Sequence, residues 1–291
     1  MAAVTAPAVE AKPRTRWLPA APLLVYLAFG FLLLVVVLAL FGSFIFPGSP
    51  KAQNLFLTSQ PPSAKYWFGT DDLGRNVFVR VVAGSRTALI GPTFIAVSGL
   101  IGSSIFGIAA GYIGGAVDMT ISRAVDFMFS LPGLLIAIVV VSVVGGGYVI
   151  AVLVLSILNV QGDIRIVRSA AVKQRSLAYI ESARTLGVPP SRIMYRHIFL
   201  NILPILVADL ALDFGGALVA LAGLAFLGLG APAGSTEWGS MLADGQALLF
   251  ENPAAALGPG LAIVLLAVSF SLIGDWVYER FAKSVRGDRE P

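Results

Sequence analysis

The chain has no cysteine and a single histidine, His197. The first absence excludes a disulfide framework and thiol chemistry. The second excludes any metal site built on two or more imidazoles, including the paired histidines of HExxH. None of the five lysines (Lys12, Lys51, Lys65, Lys173 and Lys283) follows a glycine, so the GxxxxGK[ST] loop that cradles nucleotide phosphates is absent. No serine stands in GxSxG, and an intramembrane protease would have only His197 as its base. Charge is scarce as well, since 12% of the residues are Asp, Glu, Lys or Arg where a soluble domain carries about 25%.

Hydrocarbon fills the space that charge leaves. Of 291 residues, 57% are hydrophobic, and the mean hydropathy is +0.87. A soluble core could not hide this much apolar surface, so the solvent is lipid. At roughly 20 residues per span, about six spans and their loops fit this length. The expected fold is therefore all-α, a polytopic membrane protein with six transmembrane helices. The net charge of +4 is no nucleic-acid signal; its placement bears on topology instead.

Residues 1–21 are polar and rich in Ala and Pro, with Lys12, Arg14 and Arg16, and they read as a cytoplasmic tail. No charge occurs between Trp17 and Pro50, a run too long for a secretory signal, so 22–46 is read as the first span with Trp17 anchoring its inner end. Residues 47–87 form a polar extracytoplasmic segment with turns at Pro47-Gly48-Ser49-Pro50 and Pro61-Pro62. Within it, Thr70 or Asp71 can cap an interfacial helix whose arginines Arg75, Arg80 and Arg86 face water and headgroups. The second span is read as Ala88–Tyr112, with Gly107 and Gly111 spaced for close helix packing. Gly114-Gly115, Asp118 and Arg123 mark a turn, and the third span is read as Phe127–Val144, kinked at Pro132. After Gly145-Gly146-Gly147, a short fourth span runs from Tyr148 to Gln161. The fifth begins after His197, 231–251 is a polar loop, the sixth is 252–274, and 282–291 is a second cytoplasmic tail.

A charged loop, 163–200, separates the fourth span from the fifth, and its centre has a definite shape. Ile180, Ala183 and Leu186 share one helical face. Glu181 and Arg184 stand three residues apart, in range to pair. Gly187 can stop the helix in the left-handed conformation. Pro189-Pro190 cannot continue that helix but can open another, through Ser191 to His197. The result is a helix–break–helix knob at a membrane surface, shaped for a groove in another protein. With six spans and the N-terminus inside, the inner segments hold fifteen basic residues, seven of them in this loop, and the outer segment 47–87 holds five. The positive-inside rule therefore places the knob in the cytoplasm, while the outer arginines run against it. Asp209 and Asp213 lie one turn apart on the fifth span. Acids so placed line a cavity or pair with a basic partner; both readings stay open, the lower translocation cavity and a neighbouring subunit, and Asp209, Asp213 and Pro132 are the candidates for the translocation pathway. A proton relay would need a continuing series of acids.

Several words in the chain resemble a known family. Glu181-Ser182-Ala183-Arg184, with Gly187, Ile193 and His197, looks like the EAA coupling loop of importer-type ABC permeases, with Ser182 for the second alanine and Leu200 for a usual proline. Phe68-Gly69-Thr70-Asp71, Gly74-Arg75-Asn76, Arg80, Gly84 and Arg86 resemble the FGTDxxGRD…R…GxR signature of C-type permeases of dipeptide and oligopeptide importers. Ser130-Leu131-Pro132, Ala225–Gly230 and Glu237–Leu242 fit the same pattern. The resemblance implies a type I ABC importer permease fold, with 88–281 as a core of five helices. It implies a non-catalytic subunit in the bacterial cytoplasmic membrane, both termini inside. Its partners would be a B-type permease in a heterodimer, two ATPase domains that hold the ATP and Mg, and an extracytoplasmic peptide-binding protein; nucleic acid is not among them. ATPase closure would move the knob as a lever and tilt the fifth and third spans. Dipeptides or oligopeptides are the implied cargo, with nickel or glutathione as alternatives, and Arg75, Arg80 and Arg86 are candidates for binding-protein docking. Outside this class, a secondary transporter would require an internal repeat, which the sequence does not show, and a membrane scaffold would need another reason for the knob.

Overall fold

The computed structural model describes residues 22–232 and 234–287, with side chains as far as residue 280. The expected tail at 1–21 lies outside those residues, as do the side chains of the expected tail at 282–291. The order is α1 (Leu23–Ile45), a 3-10 turn (Leu55–Leu57), α2 (Val77–Ile113), α3 (Gly115–Phe129), α4 (Gly133–Val144), α5 (Tyr148–Arg175), α6 (Ala178–Thr185), α7 (Pro190–Arg192), a π turn (Ile193–Ile198), α8 (Phe199–Phe226), α9 (Trp238–Gln246) and α10 (Ala254–Gly287). Among the described residues, five helices are long and apolar enough to cross a membrane: α1, α2, α5, α10 and the continuous run Pro190–Phe226. The pair α3–α4 qualifies as a sixth span if it crosses as one unit, although it bends by 77°.

Packing shows that this pair does cross. Along α2 and α5, Gly91 meets Tyr148, Gly102 meets Val160, Gly107 meets Val167 and Gly111 meets Ala171. Both numbers climb together, so the two helices run parallel, and α3–α4 must return the chain to the side where α2 began. By contrast α8 and α10 are antiparallel, because Gly215 faces Ala267 while Gly274 faces Ala211. The glycine stripe on α2 sets the approach. A methyl group at Gly107 would sit 2.8 Å from Val167 Cβ, and one at Gly111 would sit 2.7 Å from the Arg168 carbonyl oxygen. Small residues at this spacing let backbones touch where lipid supplies no hydrophobic drive.

Five elements differ from those expected. Helix α2 begins eleven residues before Ala88, at Val77, and its cap is Asn76, whose side chain accepts from Val79 N–H at 3.3 Å, rather than Thr70 or Asp71. No separate interfacial helix exists there. Helix α3 occupies the region read as a turn. Pro132 is not inside a kinked helix but extended, with φ −60° and ψ 120°, immediately before α4; its ring and missing N–H end the helical path outright. Helix α5 continues to Arg175, because its charges are satisfied by α3. Arg165 pairs with Asp126 at 2.7 Å, and Arg168 grips Asp118 at 2.5 and 2.7 Å. Helix α9 lies within the expected loop 231–251, anchored by Trp238, whose indole N–H donates to the Val81 carbonyl at 2.8 Å.

Candidate functional site

On the side where α2 and α5 end, the chain builds the knob. Leu177 is extended and leads into α6. At the far end Leu186 N–H reaches Ser182 O at 3.0 Å and Val188 N–H reaches Ala183 O at 3.1 Å. Gly187 turns the corner at φ +73°, with nothing within 4 Å of where a Cβ would stand. Pro189 is extended at ψ 145° and Pro190 opens α7. The following π turn carries a bond from Phe199 N–H to Met194 O, the wider i→i+5 register. That register brings Ile193 and Ile198 to the same inner side. Both are buried with Ile180 and Ala183 against Ile108, Val167 and Ala171. The knob is thereby fastened to the ends of α2 and α5 and is continuous with α8.

The outward face of the knob differs in two details from expectation. Arg184 does not pair with Glu181; its guanidinium stacks on Tyr112, 4.8 Å from the ring centroid, with Nε 3.4 Å from the hydroxyl. Among the described residues the Glu181 carboxylate has no partner, and it faces outward beside Ser182. Leu186, expected on the inner face with Ile180 and Ala183, is instead 82% exposed at the tip. His197 is half-buried on the π turn, and its carbonyl accepts from Asn201 Nδ2 at 2.5 Å.

Between the two membrane faces, the helices gather acids. Carboxylate oxygens of Asp209, Asp213 and Asp163 lie within 4.8 Å of one another. Asp163 comes from α5, in a stretch that sequence reading assigned to the charged loop, and it is buried where Gly99 of α2 leaves room; a Cβ at Gly99 would meet Asp163 Oδ2. Only the extension of α5 makes the three acids neighbours. A cavity of about 160 Å³ adjoins this level, lined by Gly133, Leu134, Leu155, Asn159, Gly216 and Ala220. It lies between the start of α4, just past Pro132, and the stretches of α5 and α8 one turn from Asp163 and Asp213.

The opposite side is closed by an ion-paired cap, which corrects the reading of water-facing arginines for Arg75 and Arg80, while Arg86 stays exposed. Arg80 is 1% exposed and Arg75 4% exposed. Asp71 holds both. Its Oδ1 accepts from Leu73 N–H at 3.0 Å and Arg75 N–H at 2.9 Å, and its Oδ2 accepts from Arg75 Nε at 2.7 Å and from Arg80 Nη1. Arg80 Nη2 donates to Ser235 O at 2.7 Å, tying α2, and Asp71 through it, to the loop before α9. Asp244 on α9 lies 3.8 and 3.6 Å from the two guanidiniums, and burial still lifts its carboxyl above the usual range. Arg86 donates to the carbonyls of Ala39 and Leu40 on α1, at 2.6 and 3.5 Å. Asn252 Nδ2 bridges the carbonyls of Phe68 and Thr70, both at 3.0 Å. These arginines break the positive-inside pattern because two are neutralised internally and the third serves helix carbonyls.

Such an arrangement offers docking and passage: a rigid knob on one side, a fastened cap on the other, and acid-bearing helices between. The family model described as "Binding-protein-dependent transport system inner membrane component" matches residues 103–287. The dipeptide transport system permease protein DppC of Alkalihalophilus pseudofirmus is 38% identical over 240 residues, 82% of this chain and 79% of its own length. The probable D,D-dipeptide transport system permease protein DdpC of Escherichia coli is 35% identical over 247 residues, covering 84% and 83%. The glutathione transport system permease protein GsiD of Pectobacterium atrosepticum is 34% identical over 248 residues, covering 84% and 82%. The chain thus belongs to the binding-protein-dependent transport system inner membrane components, the membrane-embedded permease subunits of ABC importers.

Proposed function

We propose that this permease passes dipeptides or short oligopeptides inward across the bacterial cytoplasmic membrane, paired with a B-type permease and driven by two ATPase domains that dock on the 177–204 knob. Relatives named for dipeptide and glutathione transport support this cargo class. The observation that carries the mechanism is the fastening of the knob. Ile180 and Ile193 key it to α2 and α5, and α7, the π turn and α8 form one uninterrupted rod. A displacement at Glu181, Ser182, Ala183, Arg184 or Gly187 therefore reaches the membrane without slack. Closure of the ATPases would move this lever, with Ile193 and His197 carrying it into α8, and α8 and the α3–α4 pair would tilt about Pro132. The cavity would face outward to receive peptide from the binding protein, and hydrolysis would return it inward past Asp209 and Asp213.

The knob side carries Arg123, Arg165, Arg168, Lys173, Arg175, Arg184, Arg192 and Arg196, which supports a cytoplasmic knob and cytoplasmic termini. ATP and Mg belong to the partner ATPases; this chain holds no cofactor and catalyses no reaction itself. Arg75, Arg80 and Arg86 serve binding-protein docking indirectly, by holding the shape of the outer cap. The test is reconstitution of the complex in liposomes with labelled dialanine and labelled glutathione. ATP-dependent accumulation that requires the binding protein supports the reading, and accumulation without any ATPase partner overturns it. Preference for glutathione would move the cargo to that relative's class.

A further inference from the structure

Asp209 and Asp213 are half-exposed on α8, whereas Asp163 is 4% exposed at the base of the group. The buried member supplies a second, separate observation: Asp163 Oδ2 is sealed from solvent and meets no donor. The nearest cations on the same helix, Arg165 and Arg168, are turned away from the group to Asp126 and Asp118 on α3. Three carboxylates this close, among membrane helices, cannot all hold charge without a positive group between them. Half-exposed acids at this depth do not face lipid; they face a wet path or a partner. The cavity lined by Asn159 and Gly216, one helical turn from Asp163 and Asp213, favours the path side.

We infer that Asp163, Asp209 and Asp213 form a way-station for the primary ammonium group of the passing peptide. This rests on the peptide-importer reading above. An ammonium presents three N–H donors, and contacts of about 2.8 Å in a tetrahedral array put its acceptors about 4.6 Å apart, which the observed spacing accommodates. A resident hard cation wants six or more oxygens. The neighbouring walls, Gly99, Gly216 and Ala220, add no side-chain oxygen, and Asn159 adds one amide. The cup is also open on the side of Asp209 and Asp213, so its ligand can leave, as cargo must.

The experiment uses the assembled complex in liposomes. Dicyclohexylcarbodiimide labels membrane-embedded carboxyls, and mass spectrometry reads labelling at Asp209 and Asp213. Dialanine is expected to slow labelling several-fold, whereas N-acetyl-dialanine and magnesium chloride leave it unchanged. Protection by magnesium would make this a metal site and overturn the inference, as would equal protection by both peptides or protection by neither. In parallel, Asp163→Asn should lower dialanine uptake about tenfold while the complex still assembles and its ATPase still responds to the binding protein. Undiminished uptake by Asp163→Asn sinks the way-station alone. Absence of dialanine uptake by the unaltered complex sinks the cargo reading and the way-station with it.

Discussion

Replacing Asp71 with alanine tests whether the outer arginines are structural. The carboxylate receives hydrogen bonds from Leu73 N–H, Arg75 N–H, Arg75 Nε and Arg80 Nη1. Its removal leaves two guanidiniums 4% and 1% exposed with only Asp244 nearby, at 3.8 and 3.6 Å. Breaking a buried pair from one side costs about 3–5 kcal/mol. Two arginines share this carboxylate, and Asp244 offsets part of the loss, so about 3–4 kcal/mol is expected, a local opening favoured more than a hundredfold. Limited proteolysis of residues 47–76 in the purified protein reads that opening, and thermal unfolding reads the total. Asp71→Ala combined with Arg80→Met should cost less than the sum of the two changes, because the second removes a charge that the first stranded. Unchanged proteolysis and melting would refute the reasoning. It would mean that the arginines swing into water and are free to meet a binding protein directly.

Three further outcomes follow from the same geometry. Gly111→Leu drives a side chain into the Arg168 carbonyl and Ala171 and should cost about 3 kcal/mol or more, seen as loss of monodisperse protein on size exclusion, while Gly216→Ala, with open space around it, should be tolerated. Gly187→Val forces a β-branched residue to φ +73°, a strain of about 1–2 kcal/mol; peptide uptake should fall while the protein remains in the membrane, and normal uptake would count against the lever. Burial pushes the Glu237 carboxyl above its usual range despite the N–H of Ala231 at 3.0 Å. The folded state therefore holds this proton more tightly than the unfolded one, so its effect on stability worsens as pH rises from the unfolded value through the folded one. Glu237→Gln keeps an acceptor and removes the charge, and it should flatten that part of the pH–stability profile measured by thermal melting.

The knob was legible because its signals are local: Gly187 needs a left-handed turn, and Pro189-Pro190 both stop and start a helix. Span count was legible from the apolar runs. The element ends were not, because distant partners decide them. Arg80 reads as a water-facing charge until Asp71 and Ser235 are placed around it, and Arg165 and Arg168 read as loop residues until Asp126 and Asp118 are seen on α3. Asp163 was invisible as a site residue for the same reason, since nothing near it in sequence points to Asp209 and Asp213. Helix α9 escaped because its hold on the fold is long-range, through Trp238 on Val81, Asp244 beside Arg75 and Arg80, and Gly239 and Gly245 against the backbones of α8 and α10, and not through a periodic apolar face. The missing Glu181–Arg184 pair is a local rule overruled by an aromatic neighbour, Tyr112, from α2.

The central claim is that force enters this subunit through the knob, from an ATPase on the cytoplasmic side. A photo-crosslinking residue placed at Leu186, the exposed tip, measures this in intact cells, with the same probe at the fully exposed Phe250 on the opposite side as its control. The account predicts a covalent adduct between position 186 and an ATPase subunit, and none from position 250. An adduct from position 186 to an extracytoplasmic protein, or labelling of that position by a membrane-impermeant reagent added outside, would contradict it.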